Sequence, residues 1–265
     1  MEIQDLTRVA LAATLEAGAL LKDNFGRKQL FQSKTSHADI VTEFDHRSED
    51  LIVKKIREHF PDHDILTEEK KIETKNSDYR WILDPIDGTT NFAHGFPFFC
   101  VALGLEFKKQ MQLGIVFLPA MNELFVAERG KGATLNNEPI HVSQGVQLSS
   151  SLLIGSSPHD RALLSLNLKL MDRFIRASHN VLRTGSAATA LCYLATGRID
   201  GFWALSLQPW DLAAPSLIVR EAGGTITDFA NEPFDIYGRQ TLATNGKIHA
   251  EMRKIILDET STKGA

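Results

Sequence analysis

Residues 81–92 read Trp81-Ile82-Leu83-Asp84-Pro85-Ile86-Asp87-Gly88-Thr89-Thr90-Asn91-Phe92, and the rest of the chain is best understood outward from this stretch. The run at 80–84 has the apolar density of a buried strand, which delivers Asp84 to its end. Pro85 stops the ladder because it has no N–H, Gly88 permits a tight turn, and Thr89 and Thr90 can open a helix. Asp84 and Asp87 on such a turn can face one side and share a hard divalent cation, while free amides at a helix start bind an anionic oxygen. The competing reading is an Asx-rich turn in which Asp84 and Asp87 cap backbone amides. The motif alone leaves the two evenly matched.

After this stretch, residues 98–143 alternate apolar and polar in short runs split by turn residues, which predicts an antiparallel meander. Before it, helices are expected at 3–24 and 46–59, joined by a polar loop around Ser33–Ala38. From 160 helices and strands alternate: a helix at 160–178, a strand and a small-residue helix across 180–196, a strand at 201–206 and a last helix at 211–222. Ala222-Gly223-Gly224 supplies a C-cap, and 225–229 reads as a further strand. The tail from Asp258 is polar and expected to fray. No repeat or linker interrupts the chain, so a single domain over 1–265, built of helix and sheet layers, is expected.

With 43% hydrophobic and 23% charged residues, the chain is neither disordered, fibrous nor a coiled coil. Its 29 Lys and Arg against 33 Asp and Glu give a net charge of −4, so nucleic acid and anionic membrane have no bulk attraction for it. Glu2 and Asp5 stand where a signal peptide would be basic, and no apolar run has the length of a membrane span; a cytoplasmic location is expected. Cys100 and Cys192 sit in apolar surroundings and read as reduced core thiols.

Other carboxylates occupy comparable positions. Glu68 and Glu69 follow the apolar pair Ile65-Leu66, Asp211 heads the helix after Trp210, and Asp45 stands at the start of the second helix. Each alone reads first as a cap or a solvated helix start. As a set they resemble the inositol monophosphatase family. Asp84-Pro85-Ile86-Asp87-Gly88-Thr89-Thr90-Asn91 is similar to that family's signature and Trp210-Asp211-Leu212-Ala213-Ala214 to its second. Asp39-Ile40-Val41-Thr42-Glu43-Phe44-Asp45, the Glu68-Glu69 pair and Gly185-Ser186-Ala187-Ala188 match further motifs in the same order.

The resemblance implies a layered αβαβα sandwich of the inositol monophosphatase and fructose-1,6-bisphosphatase type, assembled as a homodimer. It also implies magnesium-dependent, lithium-inhibited hydrolysis of a phosphate monoester. Carried onto this chain, Glu68, Asp84 and the carbonyl of Ile86 would hold one Mg²⁺, and Asp84, Asp87 and Asp211 a second; a third, weaker ion near Glu68 is proposed for some relatives. The amides of Gly88 and Thr89 would hold the phosphate. Thr89, hydrogen-bonded to Asp45, would help Glu68 orient the attacking water. Gly185, Ser186 and Ala187 would line the site beside the alcohol, with Ile86, Asp87 and Asp211 close to the substrate.

General chemistry agrees. A phosphate dianion repels hydroxide, and hard cations both neutralise it and acidify water. All the ligands are oxygen donors, while the histidines lack a metal pattern: Pro61 breaks the helix that would align His59 with His63. His94 is expected to be a packed structural residue. Three positions depart from the family pattern. Ala204 stands where inositol-specific members carry a Glu that accepts hydrogen bonds from ring hydroxyls; Thr67 replaces a Gly; Pro215 replaces another, and as a first-turn proline is expected to have little effect. Lys34 lies in a loop that closes over the metals in relatives, as a cation near phosphate or as a plain surface lysine. The substrate classes that follow are inositol monophosphate, fructose 1,6-bisphosphate and other small phosphate esters. A binding role with a protein partner, known for some bacterial relatives, is the alternative.

Overall fold

A computed structural model describes residues 3–27, 30–36, 39–70, 74–158 and 160–261. Helix α1 (Ile3–Asn24) leads into a ribbon of β1 (Phe31–Ser36) and β2 (Asp39–Thr42), then α2 (Glu43–His59). Strands β3 (Asp64–Thr67) and β4 (Tyr79–Asp87) reach the short helix α3 (Thr89–Ala93). The meander follows as β5 (Cys100–Phe107), β6 (Gln110–Leu118), β7 (Glu123–Glu128), β8 (Ala133–Leu135) and β9 (Glu138–Pro139). The second half runs β10 (Leu152–Gly155), α4 (Arg161–Ala177), β11 (Asn180–Leu182), α5 (Ala187–Ala195), β12 (Gly201–Leu205) and α6 (Pro209–Glu221). It closes with β13 (Thr225–Thr227), β14 (Gln240–Thr244) and α7 (His249–Ser261).

Besides the β1–β2 ribbon, two larger sheets form among the described residues, one of seven strands in the order β3-β4-β5-β6-β7-β8-β9 and one of five in the order β11-β10-β12-β14-β13. Alternation along β4 sends Trp81 and Leu83 to one face of the larger sheet and Ile82 to the other. The first face is covered by α1, through Leu6, Val9, Ala13, Ala17 and Leu21 at helical spacing, and by Ile52 and Ile56 of α2. The second meets α5 and α6, which also touch the smaller sheet. The outer face of the smaller sheet carries α4 and α7 over Trp203, Leu205 and Leu242. The layers therefore run helix, sheet, helix, sheet, helix, as the resemblance implied.

What positions the site is the seating of α6. Gly104 and Gly114 face each other across β5 and β6. A Cβ at Gly114 would lie 2.4 Å from the carbonyl oxygen of Ala214, and one at Gly104 would lie 3.0 Å from the Cβ of Ala213. The bare patch lets α6 lie directly on the sheet, which fixes where its first turn ends up.

Several expectations need correction. The stretch around Ser33–Ala38 is not a simple loop: β1 pairs antiparallel with β2, so Lys34 is on a strand, and its side chain and residues 37–38 lie outside the described residues. The helix ending at Ala222 is not the last, because α7 follows and carries Asp258 as far as Ser261. Pro215 is inside α6 rather than in its first turn, because the helix starts at Pro209. Lacking an N–H, it leaves the carbonyl of Asp211 without its helical donor. Strands β10 and β14 add to those expected.

Candidate active site

Asp84 and Asp87 are an odd number of residues apart, so on a regular strand they would point to opposite faces. The register resolves this: Asp84 pairs with Ala102 and Asp87 with Cys100, so one extra residue is accommodated on β4 between them. This bulge turns both carboxylates to the face that α5 and α6 cover. Asp211, in the first turn of α6, completes the group, and carboxylate oxygens of Asp84, Asp87 and Asp211 all lie within 4.8 Å of one another. The parallel pairing of Thr67 with Leu83 brings Glu68, just beyond β3, level with Asp84. Glu68 stands outside the compact trio, yet close enough for its charge to act on Asp84 and Asp211.

Asp84 is 1% exposed. Burial pushes its carboxyl well above the ordinary range, and the neighbouring charges of Glu68, Asp87, Asp211 and Asp45 push the same way. Asp211 is raised well above that range too, by burial and then by Asp87. Asp87 is raised by burial, against the donors that hold it. Those donors are Ser186 Oγ at 2.7 Å, the Ala188 amide at 2.6 Å and the Ala187 amide at 3.4 Å, all at the start of α5. The acids also make structural bonds: Asp84 accepts from the Ile86 amide at 3.0 Å, and Asp211, which is not the expected N-cap because the helix starts at Pro209, accepts from the amide of the N-cap Gln208 at 2.8 Å as the third residue of a capping box.

Gly88 caps α3 at φ +96°, and a Cβ there would stand 2.9 Å from the Phe98 carbonyl. Only glycine meets both conditions, so the turn after Asp87 is fixed by sequence. Thr89 Oγ1 lies 2.9 Å from Asp45 Oδ1 and 3.0 Å from the Ile86 carbonyl, with a single proton to donate. Asp45 Oδ2 accepts from both the amide and the hydroxyl of Thr42 at 2.7 Å, closing the capping box of α2. Burial raises the Asp45 carboxyl, and these donors oppose the rise. Asn91 ties α3 to the strand-to-helix turn before α5, donating to the carbonyls of Phe98 at 2.6 Å and Thr184 at 2.8 Å.

Gly185, Ser186 and Ala187 were expected to line the site beside the alcohol; the structure shows the side chain of Ser186 and the amide of Ala187 addressing Asp87. Ala204 lies in the layer between the sheets, cross-strand from Thr241, and is 1% exposed. His94 is exposed at the end of α3 with its ring 6.0 Å from that of Phe31, and so is not the packed residue expected. His63 is structural: it stacks on Phe60 and Tyr79 and its Nδ1 accepts from the Trp81 indole at 3.1 Å. Both cysteines are buried and free, and the Cys100 thiol faces Asp87 at 3.9 Å. Ser48 and Glu49 were not expected at the site. Their signal was present: they fall on the stripe of α2 that holds Ile52 and Ile56, where apolar residues belong.

The chain matches the inositol monophosphatase family over residues 2–261. It belongs to that family. The inositol-1-monophosphatase of Synechocystis is 40% identical over 96% of this chain and 90% of the relative. A protein of Pasteurella multocida named Nus factor SuhB is 37% identical over 95% and 92%. The solved structure of an IMPase from Thermotoga maritima superposes with a TM-score of 0.91 at 35% identity, covering 98% of this chain and 100% of that one. Membership supports a phosphoric monoester hydrolase. Among the described residues no helix is long and apolar enough to cross a membrane.

Proposed function

We propose that this protein hydrolyses a small phosphate monoester with Mg²⁺, and the observation that carries the reading is the packed trio Asp84, Asp87 and Asp211. The dominant charged neighbours of Asp84 are all acidic, so its burial is not offset by a protein cation. A cluster of oxygen donors so placed fits hard divalent cations. Following the family pattern, Glu68, Asp84 and the Ile86 carbonyl would hold one Mg²⁺ and Asp84, Asp87 and Asp211 a second, with a third near Glu68 as proposed for some relatives. When bound, the ions neutralise the phosphate and acidify a water molecule.

The remaining work falls to the chain. The amides of Gly88 and Thr89 receive phosphate oxygens. Asp45 accepts the proton of Thr89 Oγ1, so the lone pairs of that oxygen point toward a water, and Glu68 helps orient it for in-line attack. Ser186 and the first amides of α5 keep Asp87 in place. Residues 1–265 act as one domain, as a homodimer in the cytoplasm, with lithium inhibiting.

The alcohol is a small polyol or sugar. Ala204 cannot accept a hydrogen bond from a ring hydroxyl, so the preference for inositol 1-phosphate over other esters is weak. The test is phosphate release from inositol 1-phosphate, fructose 1,6-bisphosphate, 3′-phosphoadenosine 5′-phosphate and histidinol phosphate, each with Mg²⁺, with EDTA and with Li⁺. Mg²⁺-dependent turnover that Li⁺ suppresses is expected. Folded protein inert on all four would favour the second reading, which the Pasteurella relative's name supports: a binding role with a protein partner.

A further inference from the structure

Helix α2 places three polar groups on its inward face, and each holds a different segment of the site. Asp45 receives Thr89 Oγ1 at 2.9 Å. Ser48 Oγ donates at 3.0 Å to the carbonyl of Pro85, between Asp84 and Ile86. Glu49 is 0% exposed, and its Oε2 accepts from the Thr67 hydroxyl and from the Glu69 amide, the latter at 3.0 Å. Its Oε1 is buried without a partner among the described residues. One turn of one helix thus grips the strand end carrying Glu68, the bulge carrying Asp84 and the helix start carrying Thr89.

The grip on Glu68 uses a residue that departs from the family pattern. Thr67 stands where the family pattern has glycine, and its hydroxyl does two things glycine cannot: it donates to Glu49 and accepts the Lys70 amide at 3.3 Å, closing the turn around Glu68 and Glu69. Lys70 in turn pairs with Asp50 on the same helix. A buried carboxylate with an unused oxygen is costly to keep for packing alone. Groups that orient metal ligands are the setting in which such a cost is met.

We propose that Glu49 is a positioning residue, which through Thr67 and the Glu69 amide sets the placement of Glu68 and with it the affinity for Mg²⁺. This rests on the reading of Glu68 and the trio as the cation site.

The test is calorimetric titration of Mg²⁺, without substrate, into the wild type and into Glu49→Met, Glu49→Gln, Thr67→Val, Ile56→Val and Asp84→Asn. Methionine keeps the length of the side chain but removes the acceptor, and the Mg²⁺ Kd is expected to rise about tenfold, the effect typical of losing a group behind a metal ligand. Glutamine retains an oxygen for both donors and stays within about twofold of wild type, while Thr67→Val, losing both bonds of that hydroxyl but leaving the Glu69 amide on Glu49, rises roughly threefold. Ile56→Val thins the same helix's apolar packing and leaves Kd unchanged, which separates positioning from general destabilisation. Folded Glu49→Met with the wild-type Kd would overturn the proposal. Should Glu49→Met not fold, an unchanged Kd in Thr67→Val would overturn it instead. Wild-type affinity in Asp84→Asn, or no binding by the wild type, would bring down the cation-site reading and this proposal with it.

Discussion

Two groups of buried acids sit within one site and are treated in opposite ways. Asp45 and Glu49, on α2, are met by neutral donors: the amide and hydroxyl of Thr42, the hydroxyls of Thr67 and Thr89 and the Glu69 amide. Asp84 and Asp211, on β4 and α6, are driven well above the ordinary range by burial first and then by the carboxylates crowded around them. Donors meet most of the oxygens of the first group, although burial still raises Asp45 and one oxygen of Glu49 lacks a partner among the described residues. The second keeps an unbalanced charge that only cations or protons can relieve. The contrast teaches that burial of an acid does not mark a ligand; burial among several acidic neighbours, as at Asp84, does. Asp87 lies between the two, held by Ser186 and the amides of α5 yet part of the trio.

Changing one member of each group should break the comparison in different ways. The largest effect is expected from Asp84→Asn. Its Oδ1 can still accept from the Ile86 amide, but loss of a cation ligand should remove several kcal/mol of transition-state stabilisation, a fall of roughly 10³-fold or more in phosphate release. The same change should raise the melting temperature of the metal-free protein, because it removes repulsion; a lowered one would mean the trio is not repulsive. Asp87→Asn is a poorer probe, since its amide would face the donors of α5.

Next is Asp45→Asn. The new amide would donate toward Thr89 Oγ1 and reverse the direction of that hydrogen bond, so kcat should fall about 10²-fold. KM and the Mg²⁺ requirement should stay near wild type, and a shift in the latter would move Asp45 into the cation-binding group. A smaller effect is expected of Ala204→Glu, measured as the ratio of kcat/KM for inositol 1-phosphate over fructose 1,6-bisphosphate. One added hydrogen bond worth about 1.4 kcal/mol would raise it about tenfold. An unchanged ratio would place Ala204 outside the alcohol pocket.

The smallest expected effect concerns pH. Because the folded-state carboxyls of Asp84 and Asp211 lie above the ordinary Asp value near 3.9, the folded chain keeps protons that the unfolded chain has lost. Metal-free stability should therefore fall as pH rises from about 4 toward neutrality. Mg²⁺ at about 100 times its Kd should restore roughly 5 °C of melting temperature at pH 8 and much less at pH 5. Equal shifts at both pH values, in a thermal melt, would argue against cation binding by these carboxylates.

Much of the site was legible because its geometry is enforced locally. Pro85 interrupts the ladder and Gly88 alone fits its turn, so residues 84–89 carry their own conformation. Helix α1 was legible because one face is buried and the periodicity records it, and the meander because turn residues split its apolar runs into strands. Glu49 and Ser48 were not, because their partners are Thr67, Glu69 and the Pro85 carbonyl, met only once β3 and β4 pack on α2. The ribbon β1–β2 was missed because the sequence Ser33-Lys34-Thr35-Ser36-His37 has no apolar residue to mark a strand period. Short strands such as β10 and β14 carry too few residues for a pattern, and the polar end of α7 concealed that the helix continues to Ser261.

The most direct measurement is a Mg²⁺ binding isotherm at pH 7.5 for the wild type beside Asp84→Asn. Clear binding by the wild type and none, or binding at least tenfold weaker, by the variant is the expected result. Superimposable isotherms from two folded proteins would contradict the assignment of Asp84, Asp87 and Asp211 as the cation site.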